Sequence, residues 1–440
     1  MLMHLFLFTK YDILLVGWFN MTSLLSIIIS LIVLLIIIFI KDTQAQKSKN
    51  NYHGPLYYRL TNTNRFLIII SILIFIIVTI IDYNTHTYDR SWLSFITVVL
   101  NGLSIATLAL PLSISNIYNT IFIDEEKLLN TKYIVTDIYD KKMIYKFNKA
   151  GINVIVLTKE EIDTKIKTIS EKSYKKSLIN GNLIIKTDNH KLIKNLDNSY
   201  YEFKNLKSCY KKIEIARTKA DTIARILKYN ILTYLPLVLL YFLLVITRFP
   251  VIYNILTVLL MKLITILATE YLYKYIPSDT DLMVREPITN GKIIGFQEIG
   301  FIVFTCFCIL FCYSLPYQFV VSEGGTINLA ISLLLTTFLF SNIFITYTLY
   351  SERALIANII KTIKNIRIIV YVIIMIILSI LLNFVTYLGT KNIGIQNYFV
   401  CLVLGLLPLL VLEIIKLARY TTSKGDKKNV TKNNKRNKRS

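Results

Sequence analysis

Acidic side chains are scarce in this chain. Its 440 residues carry 27 Asp and Glu against 50 Lys and Arg, a formal charge of +23. Long stretches of the apolar regions contain no carboxylate at all, which works against hard-cation binding there, because such ions need oxygen ligands and usually carboxylates. Five cysteines give no disulfide framework. Cys306, Cys308 and Cys312 share one apolar run in which only Cys308 and Cys312 have i, i+4 spacing. They read as small apolar filler, with a soft-metal site as the other reading. No Gly-rich phosphate cradle occurs, so ATP has nowhere evident to bind. The basic C-terminus has no aromatic residue past Tyr420 to stack on bases, which makes nucleic acid the weakest partner class.

What is present is apolar: 54% of the chain is hydrophobic. Runs long enough to cross a hydrocarbon core of roughly 30 Å occur at 20–41, 65–82, 92–115, 226–247, 250–276, 293–315, 327–349, 367–387 and 398–415. The expected fold is a polytopic α-helical membrane protein with nine transmembrane helices. Positive loops stay inside. From Lys416 onward there are ten basic residues against one acid, Asp426, and the 42–64 loop carries Lys47, Lys49 and Arg59 against Asp42. Both belong in the cytoplasm, with 116–225, 277–292 and 350–366, which leaves 316–326, 388–397 and the N-terminus outside. Segment 1–19 is apolar but broken by Lys10, Tyr11 and Asp12; it reads as interfacial or as a stunted hairpin, with a cleaved signal peptide as the competing reading. Abundant Ile, Lys, Asn and Tyr point to a bacterial plasma membrane. The basic tail, 419–440, is expected to be disordered, and its charge is either simply solvated or drawn to anionic headgroups.

Residues 124–224 form the one stretch long enough for a soluble domain. YIVTDIYD (133–140), NVIVLT (153–158) and NLIIKTD (182–188) are strand-like, and KKMIYKFNKAG (141–151) and KEEIDTKIKTISEKSYKKSL (159–178) are helix-like. Alternation of this kind implies a small cytoplasmic α/β domain with a parallel sheet. It separates spans at 20–123 from spans at 225–418.

Two segments carry a family resemblance: ARTKADTIARILKYN (216–230) and PSDTDLMVREP (277–287). They resemble the type II P-type cation-transporting ATPases, at the start of the family's fifth membrane helix and in the loop after its sixth. Other stretches extend the likeness over residues 20–420. KAGINVIVLTKEEIDTKI (149–166) is similar to the family's phosphorylation-domain Lys-Ala-Gly-Ile segment, with Thr158 at the phosphate-contacting threonine. EKLLNTKYIVTDIYDKK (126–142) resembles the approach to the phosphorylated aspartate and puts Asp137 at that position. FIKDTQAQKSKN (39–50) and GPLYYRLTNTNRFLIII (54–70) resemble the flanks of the actuator domain. YSERALIANI (350–359) and VLEIIKLARY (411–420) resemble segments after the eighth and at the end of the tenth helix.

The departures are as informative as the matches. Ile138, Tyr139, Asp140 and Lys141 replace the Lys-Thr-Gly-Thr that steadies the phosphoryl group. Lys159 and Glu160 replace the next Gly-Asp. Eleven residues separate Asp137 from Lys149, where the family inserts its nucleotide-binding domain, and the actuator domain is missing between its flanks. Asp137 and Thr158 are therefore vestigial positions. Against the family's cation ligands, the fifth helix aligns Tyr234 and Leu237, and the sixth aligns Lys262, a retained Thr265 and Ile266. The fourth keeps Pro111 without an acid. Glu270 is the remaining carboxylate in these three helices, about two turns from Lys262.

A charge at mid-membrane costs at least about 2.5 to 3.5 kcal/mol, so Lys262 must face other helices, snorkel or lose its proton. Three readings stay open: a tether in which Lys262 plugs the vacant site by donating to freed carbonyls near Pro111, a proton- or anion-coupled role, or simple snorkelling. The resemblance with its losses implies a catalytically inactive pump-like protein, without cofactor or metal, serving as an accessory, regulatory or scaffolding subunit. Its partners would be the bilayer and a further membrane protein. A transporter working without ATP is the alternative, and a split pump whose missing domains come from another chain is the third possibility.

Overall fold

The computed structural model describes residues 54–85, 102, 105–106, 126–129, 131–136, 139–156, 167–168, 182–184, 205–247, 255–275, 279, 282–285, 294–351, 365–382 and 390–436. The spans expected at 20–41 and, apart from residues 102, 105 and 106, at 92–115 lie outside the described residues, as does segment 1–19.

Helix α1 (Pro55–Thr85) opens on proline, whose missing N–H is not needed in a first turn. The carboxylate of Glu126, in the short helix α2 (Glu126–Leu129), accepts from Gly54 N at 3.1 Å and Leu56 N at 2.6 Å. An acid at a helix N-terminus satisfies orphan donors and favours the helix dipole. Gly54 is needed for this approach, since a Cβ there would stand 2.2 Å from the Glu126 carboxyl.

Strands β1 (Tyr133–Thr136), β2 (Asn153–Val156), β3 (Lys167–Thr168) and β4 (Asn182–Ile184) form one sheet ordered β3-β2-β1-β4. Every pairing is parallel, with Thr136 opposite Val156 and Val135 opposite Ile184. Helix α3 (Lys141–Lys149) crosses between β1 and β2. Asp140 caps it, accepting from Lys142 N and Met143 N, and Met143, Ile144 and Phe147 form its buried face. The expected helix at 159–178 needs correction, because β3 lies inside it. Pairing with Ile155 and Val156 of β2 overrides the helix preference of the surrounding Lys and Glu.

The sheet is anchored on α4 (Leu206–Ile246), capped by Asn205 through Ser208 N at 2.7 Å. Leu206, Cys209, Ile213 and Ala216 recur at helical spacing and pack with Ile134, Phe147, Val154 and Val156 in one core. Its 41 residues reach about 60 Å, twice the hydrocarbon thickness, so one half stands outside the bundle. The helix runs unbroken through residues 224 and 225, and the α/β unit and the bundle share it instead of meeting at a linker.

Helix α5 (Ile255–Leu267) continues into a π-helical turn (Ala268–Leu272) and a 3₁₀ turn (Tyr273–Tyr275). A second 3₁₀ turn, Leu282–Val284, lies in the following loop. Then come α6 (Phe296–Ser322), α7 (Ile327–Leu349), α8 (Ile366–Leu381) and α9 (Ile395–Arg436). Among the described residues five helices are long and apolar enough to span a membrane, namely α1, α4, α6, α7 and α9, and α8 is a shorter apolar helix. The protein is a polytopic helical membrane protein. Outward faces such as Phe304, Phe307 and Phe311 of α6 are exposed, as lipid contact requires.

Helices α7 and α9 approach closely at Gly405, where a Cβ would stand 2.6 Å from Phe340 Cβ and 3.0 Å from Ser341 N. Small residues allow this approach in a bilayer, where packing rather than hydrophobic burial holds helices together. Helix α9 also corrects an expectation. It runs on to Arg436, through most of the tail read as disordered. Extending a formed helix adds one bond per residue without a new nucleus, and Lys and Arg are good helix formers.

Candidate functional site

Two buried polar regions stand out. The first lies where the bundle meets the sheet. Arg217, Asp221 and Arg225 are spaced four apart on α4, so they share a face. Arg225 Nη2 lies 2.7 Å from Asp221 Oδ2 and 2.9 Å from Asp279 Oδ2, and Nη1 donates to Tyr350 O at 2.9 Å. Arg285 closes the array through Asp221 Oδ1 and Asp279 Oδ2, both at 3.2 Å. Ser351 Oγ donates to the other Asp279 oxygen at 2.9 Å. Arg217 donates to Arg285 O and to Ala150 O, each at 2.9 Å, and so joins the loop after α5 to the α/β unit.

This clamp gathers parts of the chain that are far apart in sequence. Arg225 is 2% exposed and Asp279 7%, so the attractions act in a low dielectric, where each charge needs its partner. The set extends on both sides. Lys416 of α9 donates to Thr348 O and to Ser351 O, and pairs with Glu413 at 3.0 Å. Lys228 reaches Glu298 of α6 at 3.4 Å.

The second region surrounds Lys262. Its ammonium stands over the Tyr234 ring, 4.8 Å from the centroid, an attraction to the negative face of the ring. Thr265, fully buried, donates back to Met261 O at 2.9 Å, and Leu237 is fully buried on α4. Two of the aligned ligand positions, Tyr234 and Lys262, are thus brought face to face as an aromatic and a cation. The backbone of Glu270 lies in the π-helical turn, and its side chain is outside the described residues, as is Pro111. The tether by which Lys262 would donate to carbonyls near Pro111 therefore falls outside what is described.

Asp137 and Thr158 are also outside the described residues. The strands that lead to them are within it. β1 ends at Thr136 and β2 at Val156, paired with each other, with β1 between β2 and β4. The strand order reverses between β1 and β4, and it is at the carboxyl ends of strands beside such a point that ligands bind in open α/β folds. All five cysteines are free thiols, and among the described residues no group of three or more His, Cys, Asp or Glu is placed to hold a metal. Cys306 and Cys401 donate weakly to Ile231 O and Leu333 O, as packed structural thiols do.

Asp221, Arg225, Asp279, Arg285 and Ser351 are not singled out by sequence reasoning, although 216–230 and 277–287 are the segments that carry the family likeness. A signal was there. Asp221 and Arg225 are opposite charges at i, i+4 on a helix about to enter an apolar run, where unpaired charge is expensive.

Residues 250–418 match the family model described as cation transporting ATPase, C-terminus. No curated protein matches the chain. The matched stretch holds α5 to α8, the membrane part of α9, Lys262, Asp279 and Ser351, whereas the sheet and Arg217 precede it. The C-terminal membrane region of this protein is related to that of the P-type cation-transporting ATPases.

Proposed function

We propose that the chain is a catalytically inactive relative of these pumps, acting in the membrane as an accessory, regulatory or scaffolding subunit for another membrane protein. One observation carries this reading. At the positions aligned with the family's cation ligands stand Tyr234 and Leu237 on α4 and Lys262, Thr265 and Ile266 on α5, none of them a carboxylate, and the ammonium of Lys262 stands over the Tyr234 ring. A fixed internal cation repels a transported one. The parallel sheet on α4 supports reading 124–224 as a reduced phosphorylation domain. The clamp supports placing the sheet, the 277–292 loop, residue 351 and the Lys416 end of α9 on one side, and their basic excess assigns that side to the cytoplasm. A bundle of nine spans in a bacterial plasma membrane accommodates all of this, with the basic C-terminus inside and near anionic headgroups.

The mid-membrane charge of Lys262 favours, as the second reading, a transporter that works without ATP. One set of assays separates the two. The full chain, reconstituted in liposomes, is expected to form no phosphoenzyme from labelled ATP and to pass no cations, protons or anions. Crosslinking in native membranes is expected to recover the same membrane protein repeatedly. Stoichiometric acyl-phosphate at Asp137 would refute inactivity, and flux lost in Lys262→Ala would establish transport.

A further inference from the structure

The α/β unit turns to solvent a face that neither the clamp nor the Lys262 region uses. On α3, Met143, Ile144 and Phe147 are buried, while Lys142, Tyr145, Lys146 and Lys149 are exposed on the opposite side. Lys142, Lys146 and Lys149 are spaced four and three apart and so share one stripe, with Tyr145, 70% exposed, beside it. The first turns of α4 add Lys207 and Lys211, also exposed and four apart. The two helices meet here. The Phe147 and Tyr210 rings pack edge to face with centroids 5.3 Å apart, and the Lys146 ammonium reaches over Tyr210, 6.0 Å from its centroid. The lysines of α3 and α4 therefore belong to one surface.

The charge on this surface works against the helices that carry it. Neither α3 nor α4 has an acid in its first turn, where the dipole favours one, and Lys142 and Lys207 stand there instead. Lys142 with Lys146, and Lys207 with Lys211, are like charges at i, i+4, a spacing at which they destabilise a helix. Among the described residues none of these five lysines pairs with a carboxylate, Glu214 included. A cationic face that opposes its own helices supplies one half of an electrostatic match.

Height above the bilayer narrows the other half. Helix α4 is unbroken, and at about 1.5 Å per residue Lys211 stands about 22 Å and Lys207 about 28 Å beyond residue 226, where the apolar run begins. Lys146, over Tyr210, is level with them. An ordinary helix tilt of about 20° shortens these heights by only about 6%. The headgroup layer takes up about 6 Å of them, and charges are screened over about 8 Å at physiological ionic strength, so the field of the lipid fades before this face. The cations are also all lysines. Helix α3 and residues 206–215 contain no arginine, whose planar fork suits phosphates. Ammonium groups on flexible stems follow the irregular spacing of side-chain carboxylates, and tyrosine is enriched at protein interfaces.

We propose that Lys142, Lys146 and Lys149 of α3, with Lys207 and Lys211 of α4 and Tyr145 beside them, form a docking surface for an acidic segment of a partner protein, held clear of the membrane. The surface rests on the reading of the chain as an accessory subunit and deepens it by giving the partner a chemistry. Its test reads peptide affinity, so failure there would leave the phosphoenzyme and flux results as they stand.

The full chain in nanodiscs of zwitterionic lipid would be titrated with a short fluorescein-labelled oligoglutamate, read by anisotropy at physiological ionic strength. Lys142→Gln, Lys146→Gln and Lys149→Gln combined are expected to weaken binding about tenfold, and Lys207→Gln with Lys211→Gln about fivefold. The same charge change in the C-terminal tail, Lys427→Gln, Lys428→Gln and Lys432→Gln combined, is expected to alter it less than about twofold. Equal losses in the α3 and tail variants would reduce the binding to net charge and overturn the surface. A single-stranded oligonucleotide of matching charge bound more tightly than the peptide would overturn the choice of an acidic protein. The gap between the α3 and tail variants should persist when phosphatidylglycerol is added to the nanodisc, and its collapse would show headgroups on the face instead. Should the α3 variant fail to fold, the α4 pair decides.

Discussion

The clamp and the Lys262 region are both buried, both charged and both built on α4, yet they differ in kind. At the clamp Arg225 and Arg285 face Asp221 and Asp279, so the charges nearly cancel and each has its counter-ion within 3.2 Å. Around Lys262 the aligned positions carry Tyr234, Leu237, Thr265 and Ile266, and the ammonium stands over the Tyr234 ring. Arg225 and Arg285 join elements as a matched set with Asp221 and Asp279, and Arg217 joins them through backbone carbonyls. At the positions that the resemblance aligns with cation ligands stand Tyr234, Leu237, Lys262, Thr265 and Ile266, none of them a carboxylate.

The contrast can be broken by mutation. Arg225→Met should have the largest effect, destabilising by about 3 to 5 kcal/mol, since it leaves Asp221 and Asp279 buried with Arg285 as their main counter-charge. Thermal unfolding in detergent reads this out, and a variant as stable as the original would remove the clamp from the account. Glu126→Ala comes next, at about 1 to 3 kcal/mol, because the buried Gly54 and Leu56 N–H groups lose their acceptor. Faster hydrogen exchange at those two amides is the specific sign. Arg217→Lys should cost roughly 1 kcal/mol, because an ammonium cannot span Ala150 O and Arg285 O as the guanidinium fork does. Limited proteolysis should then cut the α/β unit sooner while the bundle melts as before. Lys262→Met should fall within about 1 kcal/mol of neutral, the lost attraction to Tyr234 offsetting relief from a mid-membrane charge. If it destabilises as much as Arg225→Met, the two regions are alike and the contrast collapses.

Part of this was legible in the residues. The apolar run 327–349 coincides with α7, and 133–140 and 153–158 each contain the strand expected of them. Hydropathy and β-branched content are local, and so are the elements they specify. The run 226–247 marks only half of α4, because the other half is polar outside and apolar only along the stripe that faces the sheet. β3 was hidden in a Lys- and Glu-rich segment, since its strand character comes from β2 and not from its own composition. The substitutions at Tyr234, Leu237, Lys262 and Ile266 were readable one by one, but the placement of Lys262 on the Tyr234 ring was not, since the two residues stand on different helices.

By itself the sequence determined that this protein is a membrane-embedded helical bundle with a soluble insertion and a basic C-terminal end, because chain-local hydropathy and charge decide what enters lipid. It also put Tyr234, Leu237, Lys262 and Ile266 at the positions that the resemblance aligns with a pump's cation ligands. Only the tertiary structure decided which of the chain's charges meet. Asp279 meets Arg225 across 54 positions, Arg217 meets Ala150 across 67, and Lys416 meets Ser351 across 65. Such pairs exist because helix packing brings separate segments within a few ångströms of one another, and a charge taken out of water remains only where packing has put its partner.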